Sequence, residues 1–365
     1  MVDLIWKDKK DNTSSIEDLK NSYSNFFQTF NLTPYSKNDE VKLSNHVSEW
    51  RNKLFWGENS SVLYHLLNKF EEKIDLIYID PPFFSGTNYE IEIEDSNKKY
   101  NSIAYYDHWD KNLDSYLQTL YERIILFRKL LSKKGLLFIH SDWHANHYLR
   151  LLLDEIFGSN KFVNNIIWYY YNKYSAGKKN LPRAHDMILV YSKSSKYTFN
   201  QIRIAREKPI KQLKREMVKG VLINSKDEEG HVIYRIVTDK KMDDVWRIPC
   251  LQPASKEYTG FPTQKHHDLL ERIIKIGSNE GDLVADFFCG SGTTLLMAEK
   301  LNRRWIGSDI SEYSVYLTRK RILNYHKENS IIKPFETLTD DDKRKRRLIG
   351  SGFFKKDLLI TRKKN

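Results

Sequence analysis

The chain has 365 residues, 40% of them hydrophobic, and carries a formal net charge of +12 with a pI near 9.3. That length allows one large α/β domain with an insert, or two modest domains, and the basic balance favours an anionic partner, nucleic acid first. Two cysteines, Cys250 and Cys289, exclude a disulfide framework and a Cys-rich zinc module; no run reaches the ~20 apolar residues of a membrane span, and the first seven residues lack a basic-then-apolar leader, so a soluble, cytoplasmic protein is expected.

Residues 1–50 are polar and aromatic, with helical spacing at 15–30 and 39–54, and read as an N-terminal extension. Residues 51–196 read as the first half of an α/β domain. A short strand and loop at 53–59 leads into a helix over 60–70, with Val62, Leu63, Leu66, Leu67 and Phe70 on one face. A buried strand follows at 75–79, so 53–80 is a strand–helix–strand unit of the kind that builds parallel sheets. Residues 84–108 read as a long polar loop, a class that is commonly functional. An amphipathic helix at 113–131, a buried strand at 135–140 and a helix at 146–157 continue the rhythm. Strands at 162–171 and 186–191 read as a hairpin that ends the sheet.

The rhythm breaks at residues 197–258, a basic, irregular stretch with a β-prone piece at 231–237, which reads as an inserted module. Between Lys193 and Lys219, nine Lys or Arg face two acids, Glu207 and Glu216. Residues 259–330 resume the α/β pattern: helix 266–276, strand 283–286, helix 293–301, strand 305–309 and helix 313–325. Residues 331–365 read as a basic tail, and its charge run at 340–347 as a solvated segment able to touch phosphate.

Two loops carry chemistry. Asp80-Pro81-Pro82-Phe83 follows the strand at 75–79, and Asp286-Phe287-Phe288-Cys289-Gly290-Ser291-Gly292-Thr293-Thr294 follows the strand ending at Asp286. In an open α/β sheet, ligands bind outside the carboxyl ends of strands. An exocyclic amino group on a base is a poor nucleophile, because its lone pair is delocalised into the ring. A carboxylate, Asp80, and a backbone carbonyl, that of Pro81, can bind both amino hydrogens and direct the lone pair at a methyl donor. Pro81 and Pro82 stiffen the loop, and Phe83 offers a face for a base taken out of the duplex.

Gly290 and Gly292 let the second loop turn sharply and approach a ligand. Asp309, ending the next strand, can accept hydrogen bonds from ribose hydroxyls. This geometry serves a dinucleotide as well as S-adenosylmethionine. Leu295 stands where the dinucleotide fingerprint has its third glycine, which lowers that alternative.

With these motifs in this order, the chain resembles the amino-group DNA methyltransferases of the β arrangement over roughly residues 50–325. In that family the catalytic tetrapeptide precedes the cofactor loop. The resemblance implies an α/β fold: a Rossmann-like, S-adenosylmethionine-dependent methyltransferase sheet in circularly permuted order, with an inserted target-recognition module. It implies that Asp80, Pro81, Pro82 and Phe83 are catalytic. It implies that Asp286, Phe288, Cys289, Gly290, Ser291, Gly292, Thr293 and Asp309 bind the cofactor, with Thr263 and Lys265 packed at its methionine end. No metal is expected. The module at 197–258 would hold duplex DNA, with Lys208, Lys211, Lys214 and Arg215 on phosphates, and Tyr89, Tyr105 and Tyr106 are candidates to stack near a flipped base. Glu58 would lie near the cofactor adenine. Asp at the head of the tetrapeptide points to adenine N6, where cytosine-N4 enzymes more usually have Ser; Phe83 replaces the commoner Tyr and keeps the stacking face. The chain is shorter than the type III modification subunits it is similar to, so a separate restriction nuclease subunit and a second copy of the chain are candidate partners. Cytosine-N4 or RNA amino-group methylation and a non-catalytic DNA-binding subunit are the alternatives; Asp80, Gly290, Gly292 and Asp309 all being present argues against the last.

Overall fold

The computed structural model describes residues 4–6, 9, 16, 20, 28–32, 50–87, 89–95, 98–105, 107, 112–173, 179–331, 333, 335–341 and 344. The chain divides into two compact units, Met1–Phe199 with Val245–Asn365, and Asn200–Asp244. The first half of the larger unit contains β1 (Gln28–Leu32), β2 (Asn52–Trp56), α1 (Asn59–Phe70), β3 (Ile74–Ile79), β4 (Tyr89–Asp95) and β5 (Lys98–Tyr105). It continues with α2 (Leu113–Leu130), β6 (Leu131–Ser141), α3 (Asn146–Phe157), β7 (Phe162–Tyr169) and β8 (His185–Ser192). The smaller unit holds β9 (Arg203–Leu213), β10 (Arg215–Val218), β11 (Val221–Asn224) and β12 (Tyr234–Lys241). The larger unit then resumes with β13 (Val245–Arg247), α4 (His267–Gly277), β14 (Leu283–Asp286), α5 (Thr293–Lys300), β15 (Arg304–Asp309), α6 (Glu312–Glu328) and β16 (Phe335–Thr339).

A ten-stranded sheet runs β1-β16-β2-β15-β14-β3-β6-β8-β7-β13. From β16 to β6 every neighbouring pair is parallel, and β8 runs antiparallel between β6 and β7. The central strands are apolar throughout because helices cover both faces; all of Ile74–Ile79 is buried. On one face, Leu63, Leu67, Leu120, Ile124 and Phe127 of α1 and α2 join Ile77, Ile79, Leu137 and Ile139 in one core. Local signals set the helix starts. Glu58 caps α1 through the N–H groups of Ser60 and Ser61, Asn112 caps α2 through Ser115 N–H, and Ser311 caps α6 through Ser314 N–H.

Several sequence expectations change. Residues 84–108 are not a plain loop, since β4 and β5 pair as an antiparallel hairpin. The alternation Tyr89-Glu90-Ile91-Glu92-Ile93-Glu94 is the period-two signal of that strand. The helical reading of 15–30 fails at its end, where β1 pairs with β16, and that of 39–54 fails at β2; residues 39–49 lie outside the described residues. Residues 335–339 of the expected tail are a strand of the sheet, parallel to β2, because Phe335 and Leu338 are buried there. Among the described residues, no helix is long and apolar enough to cross a membrane.

In the smaller unit, β9 pairs with β12 and β10 with β11, both antiparallel. Lys208, Lys211, Lys214 and Arg215 are exposed on this ribbon, with the Lys211 ammonium 4.4 Å from the Tyr234 ring centre. Val245–Arg247, just beyond, pairs with β7 at the edge of the main sheet.

One packing detail replaces a missing motif residue. A Cβ on Gly307 of β15 would lie 2.2 Å from Leu295 Cδ1. The close approach of α5 to the sheet, which a third glycine in the loop would otherwise permit, is achieved here by a glycine on the strand. Gly307→Ala should therefore overpack the core and lower stability by about 1–3 kcal/mol in urea denaturation. Adding Leu295→Val should recover part of that loss; fully additive losses would show that the two positions do not meet.

Candidate active site

β14 leads through α5 to β15 on one side of the sheet, whereas β3 leads to β6 on the other. The chain thus reverses its winding between β14 and β3, which are neighbours with Val284 opposite Leu76 and Ala285 opposite Ile77. At such a switch point the loops diverge and leave a crevice outside the strands' carboxyl ends. Both motifs open into it. A cavity of about 260 Å³ is lined by Asp80, Phe83, Lys265, Phe288, Gly290 and Asp309, among others.

The Asp-Pro-Pro-Phe loop is held from below. Tyr116 Oη donates to the Pro82 carbonyl at 3.1 Å. The Asp107 carboxylate accepts the N–H groups of Phe84 and Ser85, both at 2.9 Å, which fixes the chain where Phe84 takes φ +63°. Lys265 Nζ, buried with its side chain 10% exposed, donates to Asp80 Oδ2 and at 3.2 Å to the Thr263 carbonyl. It also lies 5.6 Å from the Phe83 ring centre. Asp80 Oδ1 is buried and, among the described residues, has no hydrogen-bond partner. The Pro81 carbonyl likewise accepts none among them.

Behind Asp80 lies a polar network that sequence reasoning missed. His140, fully buried, ends the strand beside β3, where Ile139 pairs with Ile79. Its Nδ1 is 3.1 Å from Tyr78 Oη and 3.5 Å from Asp80 Oδ1, and its Nε2 is 3.4 Å from Asp186 Oδ2. Tyr170 Oη donates to Asp186 Oδ1 at 3.2 Å. Burial, with the charges of Asp80, Asp286 and Asp186, pushes the Tyr78 phenol well above its ordinary range. Tyr78 therefore keeps its proton. Burial raises the Asp186 carboxyl, but His140 and Lys265 outweigh it and hold it below the usual range. The signal available in the sequence was His140 itself, a polar residue ending an otherwise apolar strand.

In the glycine loop, Gly292 is left-handed at φ +76°, and a Cβ there would lie 2.4 Å from Thr318 Oγ1. Gly290, at φ +48°, sits against the Phe261 ring. Gly290 N–H donates to Asp309 Oδ2 and Ser311 N–H to Asp309 Oδ1, both at 2.8 Å; a carboxylate has about four acceptor positions, so Asp309 retains capacity for ligand hydroxyls. Asp286 accepts Phe288 N–H at 3.0 Å and Thr294 Oγ at 2.6 Å. Ser291 and Thr293 are buried and tied to Arg321, whose Nη1 donates to the Ser291 carbonyl at 2.6 Å and to Thr293 Oγ1 at 3.0 Å. Arg321 Nη2 also donates to His267 Nε2 at 2.8 Å; burial lowers the His267 pKa to about 4, so that ring is a neutral acceptor. Cys289 is buried and its thiol is pushed well up by burial, so it packs rather than reacts. Glu58 lines the cavity and pairs with Arg123. Burial raises its carboxyl, but Arg123 and the helix-cap hydrogen bonds outweigh it and hold it below the ordinary range.

The structure thus brings Asp80, Pro81, Pro82, Phe83, Thr263, Lys265, Phe288, Cys289, Gly290, Ser291, Thr293, Asp286 and Asp309 around one cavity. Gly292 stands beside it as the αL residue that starts α5. Tyr89 is half-buried, whereas the Tyr105 side chain and Tyr106 lie outside the described residues.

A profile for DNA methylases of the N6/N4 type matches residues 74–320, more than half of the chain. The chain belongs to the N6/N4 DNA methylase family. It is 29% identical to the type II methyltransferase M.EcaI of Enterobacter cloacae, over 74% of this chain and 69% of that one. It is 29% identical to the DNA adenine methyltransferase YhdJ of Escherichia coli K12, over 76% and 86% respectively. The Mod subunit of the type III restriction-modification enzyme StyLTI of Salmonella typhimurium is 25% identical over 67% of this chain and 49% of its own length.

The site carries a pH signature. Burial, with Asp80 and Asp309 nearby, raises the Asp286 pKa to about 7, and burial raises Asp309 to about 6. Both carboxyls bind a proton more tightly folded than unfolded, so they withdraw stability as pH rises from about 4 through 7. Asp286→Asn should flatten the decline in urea stability between pH 5 and pH 8; a wild-type decline in the variant would remove Asp286 as its source.

Proposed function

We propose that the chain transfers a methyl group from S-adenosylmethionine to N6 of adenine in duplex DNA. The observation that carries this reading is Asp80, which lines the same cavity as the glycine loop and whose Oδ1 is a buried acceptor with no hydrogen-bond partner among the described residues. A buried carboxylate oxygen left unpaired is costly, and an amino hydrogen of a flipped base satisfies it. The Pro81 carbonyl takes the second amino hydrogen. Lys265 holds the other carboxylate oxygen and so fixes the plane in which Oδ1 points. Phe83 supplies the stacking face. Gly290, Asp309 and Ser291 hold the cofactor, with Thr263 and Lys265 towards its methionine end. The bound cofactor supplies an electrophilic methyl group on a sulfonium. With that methyl delivered to N6, Asp80 would accept the proton that the amino group loses. The relationship to YhdJ, named as an adenine methyltransferase, supports the base assignment. The relationship to a type III Mod subunit supports a restriction nuclease subunit as a partner and a defence role.

The test is mass spectrometry of nucleosides from duplex DNA incubated with the protein and isotope-labelled S-adenosylmethionine. Label is expected in N6-methyladenine; label in N4-methylcytosine would overturn the base assignment while keeping the mechanism. Asp80→Asn places a donor where an acceptor is needed and should lower turnover by roughly 100-fold or more, with cofactor binding retained. Near-normal turnover in that variant would remove Asp80 from the chemistry.

The smaller unit is the proposed target-recognition module, its ribbon narrow enough for the major groove and its exposed cations set for phosphates. Neutralising Lys211, Lys214 and Arg215 together should weaken DNA binding. It should also reduce the slope of log affinity against log salt by about 0.9 for each phosphate no longer neutralised. An unchanged slope would place these residues off the DNA.

A further inference from the structure

The sequence placed the DNA contacts on the basic ribbon, yet the larger unit carries a second set of groups of the right chemistry. They lie along the carboxyl edge of the sheet, one strand beyond Asp80. Trp143 follows β6 and is 47% exposed; Tyr169 ends β7 at 39%, and Tyr171 follows at 41%. Arg183 lies over the Trp143 ring, its Cζ 3.9 Å from the centre. Arg247 lies over Tyr171 at 4.0 Å. The exposed Lys173 follows, its ammonium 5.1 Å from the Tyr170 ring. Register makes the row continuous, because Arg247 pairs with Tyr169 across β13 and β7, and Tyr169 pairs with His185 across β7 and β8. Side chains paired in register project to one face of a sheet, and Arg247, Tyr169 and His185 are all exposed.

The two arginines differ from Arg150, Arg304 and Arg344, which also lie over rings. Arg150 over Phe162 also bonds Asp154, Arg304 over Trp50 also bonds the Gly281 carbonyl, and Arg344 over Trp56 also bonds Asp340. Arg183 and Arg247 make no hydrogen bond or ion pair among the described residues. Each is a flat cation on an exposed aromatic ring with five donors open to solvent. The nearby Asp142 carboxylate is occupied by the N–H and Nδ1 of His144. Open guanidinium forks match phosphate oxygens, and exposed rings beside them match unstacked bases.

We propose that Trp143, Arg183, Tyr169, Tyr171, Lys173 and Arg247 form a rail that holds the DNA strand beside the flipped nucleotide. The rail spans from β6 to β13, three strand spacings or about 14 Å. One strand of a duplex presents a phosphate about every 3.4 Å of axis, so the rail accommodates roughly four phosphates next to the site. Arg183 and Arg247 grip the backbone. The Trp143 ring, which also packs on the His144 ring at 3.7 Å, seats Arg183, and Tyr169 and Tyr171 receive bases that lose their stacking when the neighbour is extruded. The proposal rests on the DNA methyltransferase reading, and it adds contacts in the larger unit to those of the ribbon.

The test uses the full chain with Arg183→Gln, Arg247→Gln, Arg183→Lys and Tyr169→Ala. Binding of fluorescein-labelled duplex and single-stranded oligonucleotides is followed by anisotropy across a salt series, and S-adenosylmethionine binding by calorimetry. Each Arg→Gln change should reduce the salt slope by about 0.9, and Arg183→Lys should restore most of it. Tyr169→Ala should weaken single-strand binding by roughly five-fold or more. Cofactor affinity should stay at the wild-type level in all four, which separates weakened DNA binding from unfolding. Variants that bind both DNAs as wild type does, with unchanged slopes, overturn the rail alone. A wild-type chain that binds cofactor but no DNA, or prefers RNA of the same sequence, overturns the DNA reading and the rail together.

Discussion

The reversal of winding between β14 and β3 is the constraint on which the site depends. Two strands with their own apolar registers, Val284 opposite Leu76 and Ala285 opposite Ile77, run in parallel and end together. Their following segments then leave in opposite directions, because one must reach β15 and the other β6. A crevice results without any side chain specifying it. Everything polar in the site is placed relative to those two strand ends: Asp286 at one, Asp80 just beyond the other, Asp309 at the end of the next strand and His140 at the end of the strand on the opposite side.

This geometry crowds carboxyl groups. Asp80, Asp286 and Asp309 line one cavity, and Asp186 lies behind it through His140. The chain resolves the repulsion by giving each a different neighbour. Lys265 neutralises Asp80, the Phe288 N–H and the Thr294 hydroxyl hold Asp286, backbone N–H groups hold Asp309, and His140 with Tyr170 holds Asp186. The result is asymmetric. Asp286 is pushed towards protonation near neutral pH while Asp186 is held ionised. Of the Asp80 oxygens, one is engaged by Lys265 and the other is buried without a hydrogen bond among the described residues. Carboxyls in one site thereby have different surroundings.

Arg321 shows how the glycine loop depends on parts of the chain that carry no motif. It reaches from α6 to the Ser291 carbonyl and the Thr293 hydroxyl, and through His267 it links the loop to α4. The loop's glycines allow its shape, but this half-buried guanidinium fastens it. The exchange of small residues between Leu295 and Gly307 is of the same kind. Close packing of helix on strand needs one missing Cβ where the two meet, and either partner can lack it. Leu295 by itself therefore says less about the ligand than its place in the loop implied.

The sequence by itself determined the strand–loop pairs, because an apolar run ending in Asp-Pro-Pro-Phe or in Asp-Phe-Phe-Cys-Gly-Ser-Gly is local information. It also exposed the family resemblance and the basic composition for the same reason. Alternation at 89–94 was equally legible, but length and polarity masked it. What only the tertiary structure decided are the relations between distant residues: Lys265 on Asp80, His140 between Asp80 and Asp186, Arg321 on the loop, and Arg183 and Arg247 stacked at one edge. None has a spacing rule, since each pair is separated by chain whose path is set by sheet order. The strands at 28–32 and 335–339 belong here too, because 28–32 pairs with 335–339, which pairs in turn with β2. Propensity and periodicity act within a dozen residues, whereas hydrogen bonds and ion pairs form wherever the packed sheet brings their atoms together.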